Sequence, residues 1–157
     1  RQNPELDVIV VPVGGGGLIG GIGCAVKAHN PRIEIVGVQT ARLPSMQAAL
    51  QQQGPVDLPA KSTLADGIAV RRAGQRTLPL VSRYVDRIVT VDEDEIAEAI
   101  LMLLEGEKTV AEGAGAVALA AVLQGKTGHR GKNIAVLVSG GNLDPAKLAT
   151  LLAGRIP

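Results

Sequence analysis

Four consecutive glycines, Gly14-Gly15-Gly16-Gly17, stand between an apolar run and a helically spaced segment, and they constrain this chain more than any other feature. Glycine loses more conformational freedom on folding than any other residue, so a run of four needs a reason. The preceding residues, Asp7-Val-Ile-Val-Val-Pro-Val13, are apolar, of strand length and rich in β-branched side chains. Such a run predicts a strand buried on both faces of a parallel sheet. After the glycines, Leu18, Ile22, Ala25 and Val26 have helical spacing, predicting a helix over 18–29 that Asn30-Pro31 ends. A glycine run between strand and helix lets the backbone turn sharply and aim several N–H groups at one point. The helix N-terminus adds unpaired donors and partial positive charge, which makes an anion cup suited to a phosphate. The plainer alternative, close packing of helix on strand, needs one or two glycines rather than four.

The rest of the chain continues the alternation. Strands are predicted at Ile33–Val38, Arg87–Val91 and Asn133–Val138. Helices are predicted at Ser45–Gln53, Thr77–Tyr84, Asp92–Glu107, Gly113 to about Leu123, and from about Pro145. Asp92, Glu93, Asp94 and Glu95 crowd the first turn of one of these helices, where the dipole favours acids. Residues 56–67 and 125–132 read as loops. The expected fold class is α/β, an open and mostly parallel sheet with helices on both faces, formed by 1–157 as a single domain.

Composition narrows the function classes. The hydrophobic residues are almost all Val, Ile, Leu and Ala; Phe and Trp are absent and Tyr84 is the sole tyrosine. That core suits layered α/β packing, and it removes the aromatic platforms on which single-stranded nucleic acids stack. The formal net charge of +1, with both signs interspersed, gives no footprint for a phosphate backbone, so no nucleic-acid partner is expected. Cys24 stands alone, which forbids an intramolecular disulfide and a cysteine-type zinc site and suits a reducing compartment. No apolar run reaches bilayer length and Arg1–Asp7 is unlike a signal peptide, so a cytoplasmic protein without a membrane partner is expected. The chain starts at Arg1 with a strand close behind, and is expected to be a piece of a longer polypeptide.

Which phosphate the cup takes is less constrained. Gly15-x-Gly17-x-x-Gly20 satisfies the dinucleotide fingerprint, but a glycine run does so almost automatically. The acidic residue that would hold a ribose hydroxyl at the end of the second strand is replaced by Gln39, which argues against NAD and leaves it a lesser alternative. Gly125-Lys126-Thr127 looks like the end of a P-loop, yet Ala120 stands where its first glycine is required.

Three motifs occur in order at suitable distances: Val11-Pro-Val-Gly-Gly-Gly-Gly-Leu18, Ala65-Asp-Gly-Ile-Ala-Val70 and Ser139-Gly-Gly-Asn142. Together they resemble the threonine dehydratase and serine racemase family, pyridoxal-phosphate (PLP) enzymes of the second fold type, and the resemblance covers essentially the whole chain. It implies the large-domain part of the tryptophan-synthase-β-like fold, with PLP as cofactor and threonine or serine as substrate. It also implies a homo-oligomer and a place in amino-acid metabolism such as isoleucine biosynthesis. Gly14, Gly15, Gly16, Gly17 and Leu18 would hold the cofactor phosphate. Ser139, with Gly140 beside it, would offer its hydroxyl to the pyridine nitrogen; a hydroxyl does not favour a pyridinium, which suits β-elimination with limited carbanion build-up. Gly67 would lie against the ring and Glu112 near it. Each has a plainer reading: a helix cap or turn for Ser139, an Asp-Gly turn for Gly67, and an exposed helix-start acid for Glu112.

Departures from the family pattern are equally informative. The Schiff-base lysine sits in a Ser-x-Lys-x-Arg-Gly type segment upstream of the tetraglycine loop, and no lysine here has that context. Lys27, Lys61, Lys108, Lys126, Lys132 and Lys147 are expected at the surface, as are His29 and His129. The chain alone is therefore expected to be inactive, with the lysine supplied by a missing segment. Racemase-like members carry two carboxylates after the second strand for a divalent cation; Gln39 and Ser45 stand there, so no metal is expected and dehydratase is favoured over racemase. A non-catalytic phosphate-binding module is the rival from another class.

Overall fold

The computed structural model describes residues 3–157. Strands β1 (Val8–Pro12), β2 (Glu34–Thr40), β3 (Arg87–Val91) and β4 (Ile134–Val136) form one sheet in the order β3-β2-β1-β4. All neighbours are parallel, with Val10 opposite both Val36 and Val136, and Val38 opposite Val89. Around the sheet lie α1 (Gly17–His29), α2 (Ser45–Gln51), α3 (Leu78–Tyr84), α4 (Glu93–Glu107), α5 (Gly113–Leu123) and α6 (Pro145–Leu152). The expected fold class is thus observed, with the sheet parallel throughout rather than mostly so.

Strand residues alternate between two cores, because successive side chains point to opposite faces. Val8, Val10, Val36, Val38 and Val91 pack with Ile96, Ile100 and Leu103 of α4 and the buried alanines of α5. Val11, Val13 and Ile35 pack on the other face with Ile19 of α1, Met46 of α2 and Val81 of α3. Both faces being covered explains why β1 reads as a continuous apolar run. Helix α5 is buried almost all round, and its small side chains let it lie close on the sheet.

Chain order fixes where a ligand can enter. From β1 the chain crosses by α1 to β2 on one side, whereas β4 adds to the other side of β1. The carboxyl ends of β1 and β4 therefore flank a topological switch point, where open α/β sheets leave a crevice. The tetraglycine loop follows β1 and Ser139 follows β4, so the topology brings these two distant stretches together.

The amino end of the sheet is cross-linked instead. Lys27 pairs with Asp86 at 2.7 Å, and Asp86 also accepts the Ile35 N–H. Glu34 meets Arg87 at 2.8 Å and His129 at 2.8 Å. This corrects two surface expectations: the His129 side chain is only 14% exposed and that of Lys27 17%. Both are stapled to acids at strand starts, an arrangement that local sequence pattern does not reveal. His29 is exposed as expected.

Candidate active site

At the switch point Gly14, Gly15, Gly16, Gly17, Leu18, Gly67, Glu112 and Ser139 line one cleft of about 260 Å3 together with Pro12, Ile68 and Ala114. Of the residues singled out in the sequence, Gly140 alone does not line it. Its carbonyl accepts the Glu112 N–H at 3.2 Å, and its φ of 81° is the left-handed conformation that glycine tolerates. Gly140 shapes the wall without forming it.

The loop is built as a cup of donors. Among the described residues, the backbone N–H groups of Gly14, Gly15, Gly16, Gly17, Leu18 and Ile19 donate no hydrogen bond within the protein, and the ladder resumes with Gly20 N–H to Gly16 O at 3.0 Å. An α-helix leaves its first N–H groups unpartnered, and the glycine run extends that set backwards into the loop. Oriented amide dipoles and the start of α1 give the cleft a positive field without any charged side chain lining that side.

Packing explains only half of the glycines. Gly16 has φ 90°, and a Cβ there would collide with the Met46 Cε and crowd Thr77. A Cβ on Gly14 would press on the Ile68 backbone at 3.2 Å. At Gly15 and Gly17 a Cβ would meet nothing within 4 Å, so protein contacts do not demand glycine there. Their bare backbone leaves room for close approach from the cleft.

The opposite wall comes from two loops gathered on the start of α5. A Cβ on Gly113 would collide with the Leu64 carbonyl, and one on Gly115 with the Ser139 carbonyl. Bare backbone at these positions lets residues 64–67 and 139–140 close on the helix. Gly67 sits so near that a Cβ would lie 2.9 Å from the Ala114 Cβ and 3.2 Å from Glu112 Oε1.

The polar candidates sit differently with respect to the helices, and Glu112 does stand at a helix start. Ser139 caps no helix: α6 starts at Pro145 with Asp144 accepting the Ala146 N–H at 2.8 Å. Glu112 precedes α5 but its side chain makes no capping bond. Among the described residues, neither the Ser139 hydroxyl nor the Glu112 carboxylate has a hydrogen-bond partner recorded within the protein, so both are free to meet a ligand.

Glu93 is a residue that sequence reasoning placed only as a helix-start acid. It is 7% exposed. Its carboxylate accepts the Leu64 N–H at 2.6 Å, the Thr63 hydroxyl at 2.7 Å and the Thr40 hydroxyl at 3.1 Å. It therefore clamps the loop that delivers Gly67. Lys147 bonds Asp66 at 2.7 Å from the other side; that contact raises the Lys147 pKa despite partial burial, and the charge of Asp144 adds to it. No lysine lines the cleft among the described residues.

A larger cleft of about 680 Å3 lies between α4 and α6. Apolar Leu101, Met102 and Ile156 line it beside charged Asp94, Glu98 and Arg155. The smaller cleft is the one that gathers the glycine loop, Glu112 and Ser139.

Comparison with known proteins agrees with this geometry. Residues 1–140 match the family described as pyridoxal-phosphate dependent enzyme. An L-threonine ammonia-lyase of Thermotoga maritima is 54% identical over 141 residues, which are 90% of this chain and 35% of the relative. The processed form of threonine deaminase isoform 2 from Solanum lycopersicum superposes with a TM-score of 0.91 at 33% identity, over 98% of this chain and 45% of that one. Maize serine racemase superposes with a TM-score of 0.87 at 34% identity, over 98% of this chain and 48% of that one. The chain thus spans between about a third and just under half the length of these proteins. A match over most of its residues, on a fold whose crevice carries the glycine cup, shows that the chain belongs to the family of pyridoxal-phosphate dependent enzymes.

Proposed function

We propose that the protein is a PLP-dependent threonine or serine ammonia-lyase (dehydratase) in which residues 1–157 form one cofactor-binding α/β domain. The observation that carries this reading is the row of unpartnered N–H groups from Gly14 to Leu18 in a cleft shared with Ser139. A doubly charged phosphate bound there replaces lost hydration with several charge-assisted hydrogen bonds. The identity to L-threonine ammonia-lyase supports the choice of reaction.

Bound PLP supplies the electron sink conjugated to the substrate α-carbon. The residues of this chain hold and orient it. The glycine cup would take the phosphate, the Ser139 hydroxyl would donate to the pyridine nitrogen, and Gly67 would leave room for the ring. Leu18, 49% exposed and lining the cleft, would offer the cofactor an apolar surface. In this reading a lysine outside residues 1–157 would take the α-proton, and loss of the β-hydroxyl as water followed by hydrolysis would give a 2-oxoacid and ammonia.

Borohydride reduction of the natively purified protein, followed by peptide mapping, tests the assignment. One PLP adduct on a lysine outside residues 1–157, together with 2-oxobutanoate from L-threonine, is the expected result. An adduct on Lys27, Lys126 or Lys147 would overturn it, and phosphate binding without any adduct would favour a binding module. Serine racemase is the second reading, favoured by the maize likeness. Against it, Gln39 stands where racemase-like members have a carboxylate, and its amide is committed to Val13, Met46 and Gln47. Racemisation of L-serine outpacing pyruvate formation would select the racemase. The reading includes a cytoplasmic homo-oligomer; the exposed Met102, Leu152 and Ile156 near the larger cleft support an assembly surface. Among the described residues no helix is long and apolar enough to cross a membrane.

A further inference from the structure

Two side chains outside the cleft grip the tetraglycine loop from behind. The buried Gln39 donates from Nε2 to the Val13 carbonyl at 3.2 Å, while its Oε1 accepts the N–H groups of Met46 at 3.1 Å and Gln47 at 3.0 Å. All its amide atoms are thereby used, and it ties the loop to the start of α2. On the next outward turn the Thr77 hydroxyl donates to the Gly15 carbonyl; the Gly74 carbonyl lies 3.1 Å from the same oxygen. Gly74 is bare for this purpose, since a Cβ there would meet Thr77 Oγ1 at 2.5 Å and the Gly15 carbonyl at 2.8 Å.

The peptide unit is planar and trans, so the carbonyl of one residue and the N–H of the next point in opposite directions. Anchoring the Val13 carbonyl on Gln39 aims the Gly14 N–H the other way, and anchoring the Gly15 carbonyl on Thr77 does the same for the Gly16 N–H. Neither Gln39 nor Thr77 lines the cleft, whereas Gly14 and Gly16 do. Glycine is the residue whose peptide planes rotate most freely, so an unbraced run of four would lose this alignment before an anion arrived. We propose that Gln39 and Thr77 are positioning residues that preorganise the phosphate cup, each governing one inward N–H. The proposal rests on the PLP reading of the cleft, and deepens it by naming what holds the donors in place before the cofactor binds.

Titration of the purified, isotopically labelled protein with inorganic phosphate, followed by amide proton and nitrogen shifts, tests it alongside phosphate affinity and thermal midpoint. In wild type, phosphate moves the Gly14 and Gly16 amides together. In Thr77→Val the Gly16 response collapses, that of Gly14 persists, and the phosphate dissociation constant rises about tenfold; Thr77→Ser restores both. Gln39→Leu gives the reverse selectivity. Unchanged affinity and unchanged responses at Gly14 and Gly16 in both folded variants would overturn the brace while leaving the cup standing. Wild type that binds neither phosphate nor PLP would overturn the cup and the brace together.

Discussion

The two ends of the sheet are built on opposite rules. At the amino end, backbone and side chains find partners: Asp86 serves both Lys27 and the Ile35 N–H, Glu34 serves Arg87 and His129, and Asp7 accepts the Asn133 N–H at 2.9 Å. At the carboxyl end, the N–H groups from Gly14 to Ile19 and the Ser139 hydroxyl have no partner among the described residues. One end satisfies its polar groups and closes; the other withholds satisfaction and surrounds the gap with clamps such as Glu93. Unpaired donors are tolerated where a ligand completes them, and the clamps keep the gap from collapsing.

The sharpest way to break the contrast is to push a methyl group into the wall of the open end. Gly115→Ala drives a Cβ onto the Ser139 carbonyl. The loop must move, with an expected loss of about 3 kcal/mol, at the upper end of overpacking effects. Urea unfolding measures the loss, and PLP binding is expected to vanish with it. Glu93→Gln should cost about 2 kcal/mol, because a buried acceptor of Leu64 and Thr63 loses its charge. Its PLP affinity should fall too, since residues 64–67 come loose; unchanged affinity would show that the clamp serves stability alone.

The closed end should respond weakly. Burial raises the Glu34 carboxyl, but the hydrogen bonds and charges of Arg87 and His129 outweigh it and hold the group below its ordinary value. A depressed carboxylate contributes stability above its unfolded pKa and loses it as pH falls through the folded one. Wild type should therefore exceed Glu34→Gln by less than about 1 kcal/mol near neutral pH, the group being partly exposed. The margin should shrink as pH falls below the ordinary carboxylate value and vanish below the lowered folded one, with no effect on PLP affinity at neutral pH. A margin that grows in acid would contradict the pairing.

Much of this was legible in the residues. The order of strands and helices follows from β-branched runs, helical spacing and the Asn30-Pro31 stop, because these are local signals. The switch-point cleft was legible through its motifs, and β4 proved shorter than Asn133–Val138 because the chain leaves the ladder to reach the cleft. Contacts spanning long stretches left no local trace. Thr77 bonds a carbonyl 62 positions away and Glu93 holds Thr63 30 positions away. A threonine at a helix start and a first-turn acid carry no sequence signal of such distant partners. His129 was misread for the same reason, since its acid lies 95 positions off.

The central claim is that glycine at 15 and 17 serves the ligand and not the fold. The PLP dissociation constant of the Gly15→Ala, Gly17→Ala double variant tests it most directly. A Cβ at either position meets nothing within 4 Å, and alanine at the start of α1 is the better helix former. The variant is therefore expected to fold with wild-type stability or slightly above it, while its PLP affinity falls by at least about tenfold. Wild-type PLP affinity in the folded double variant would contradict the account.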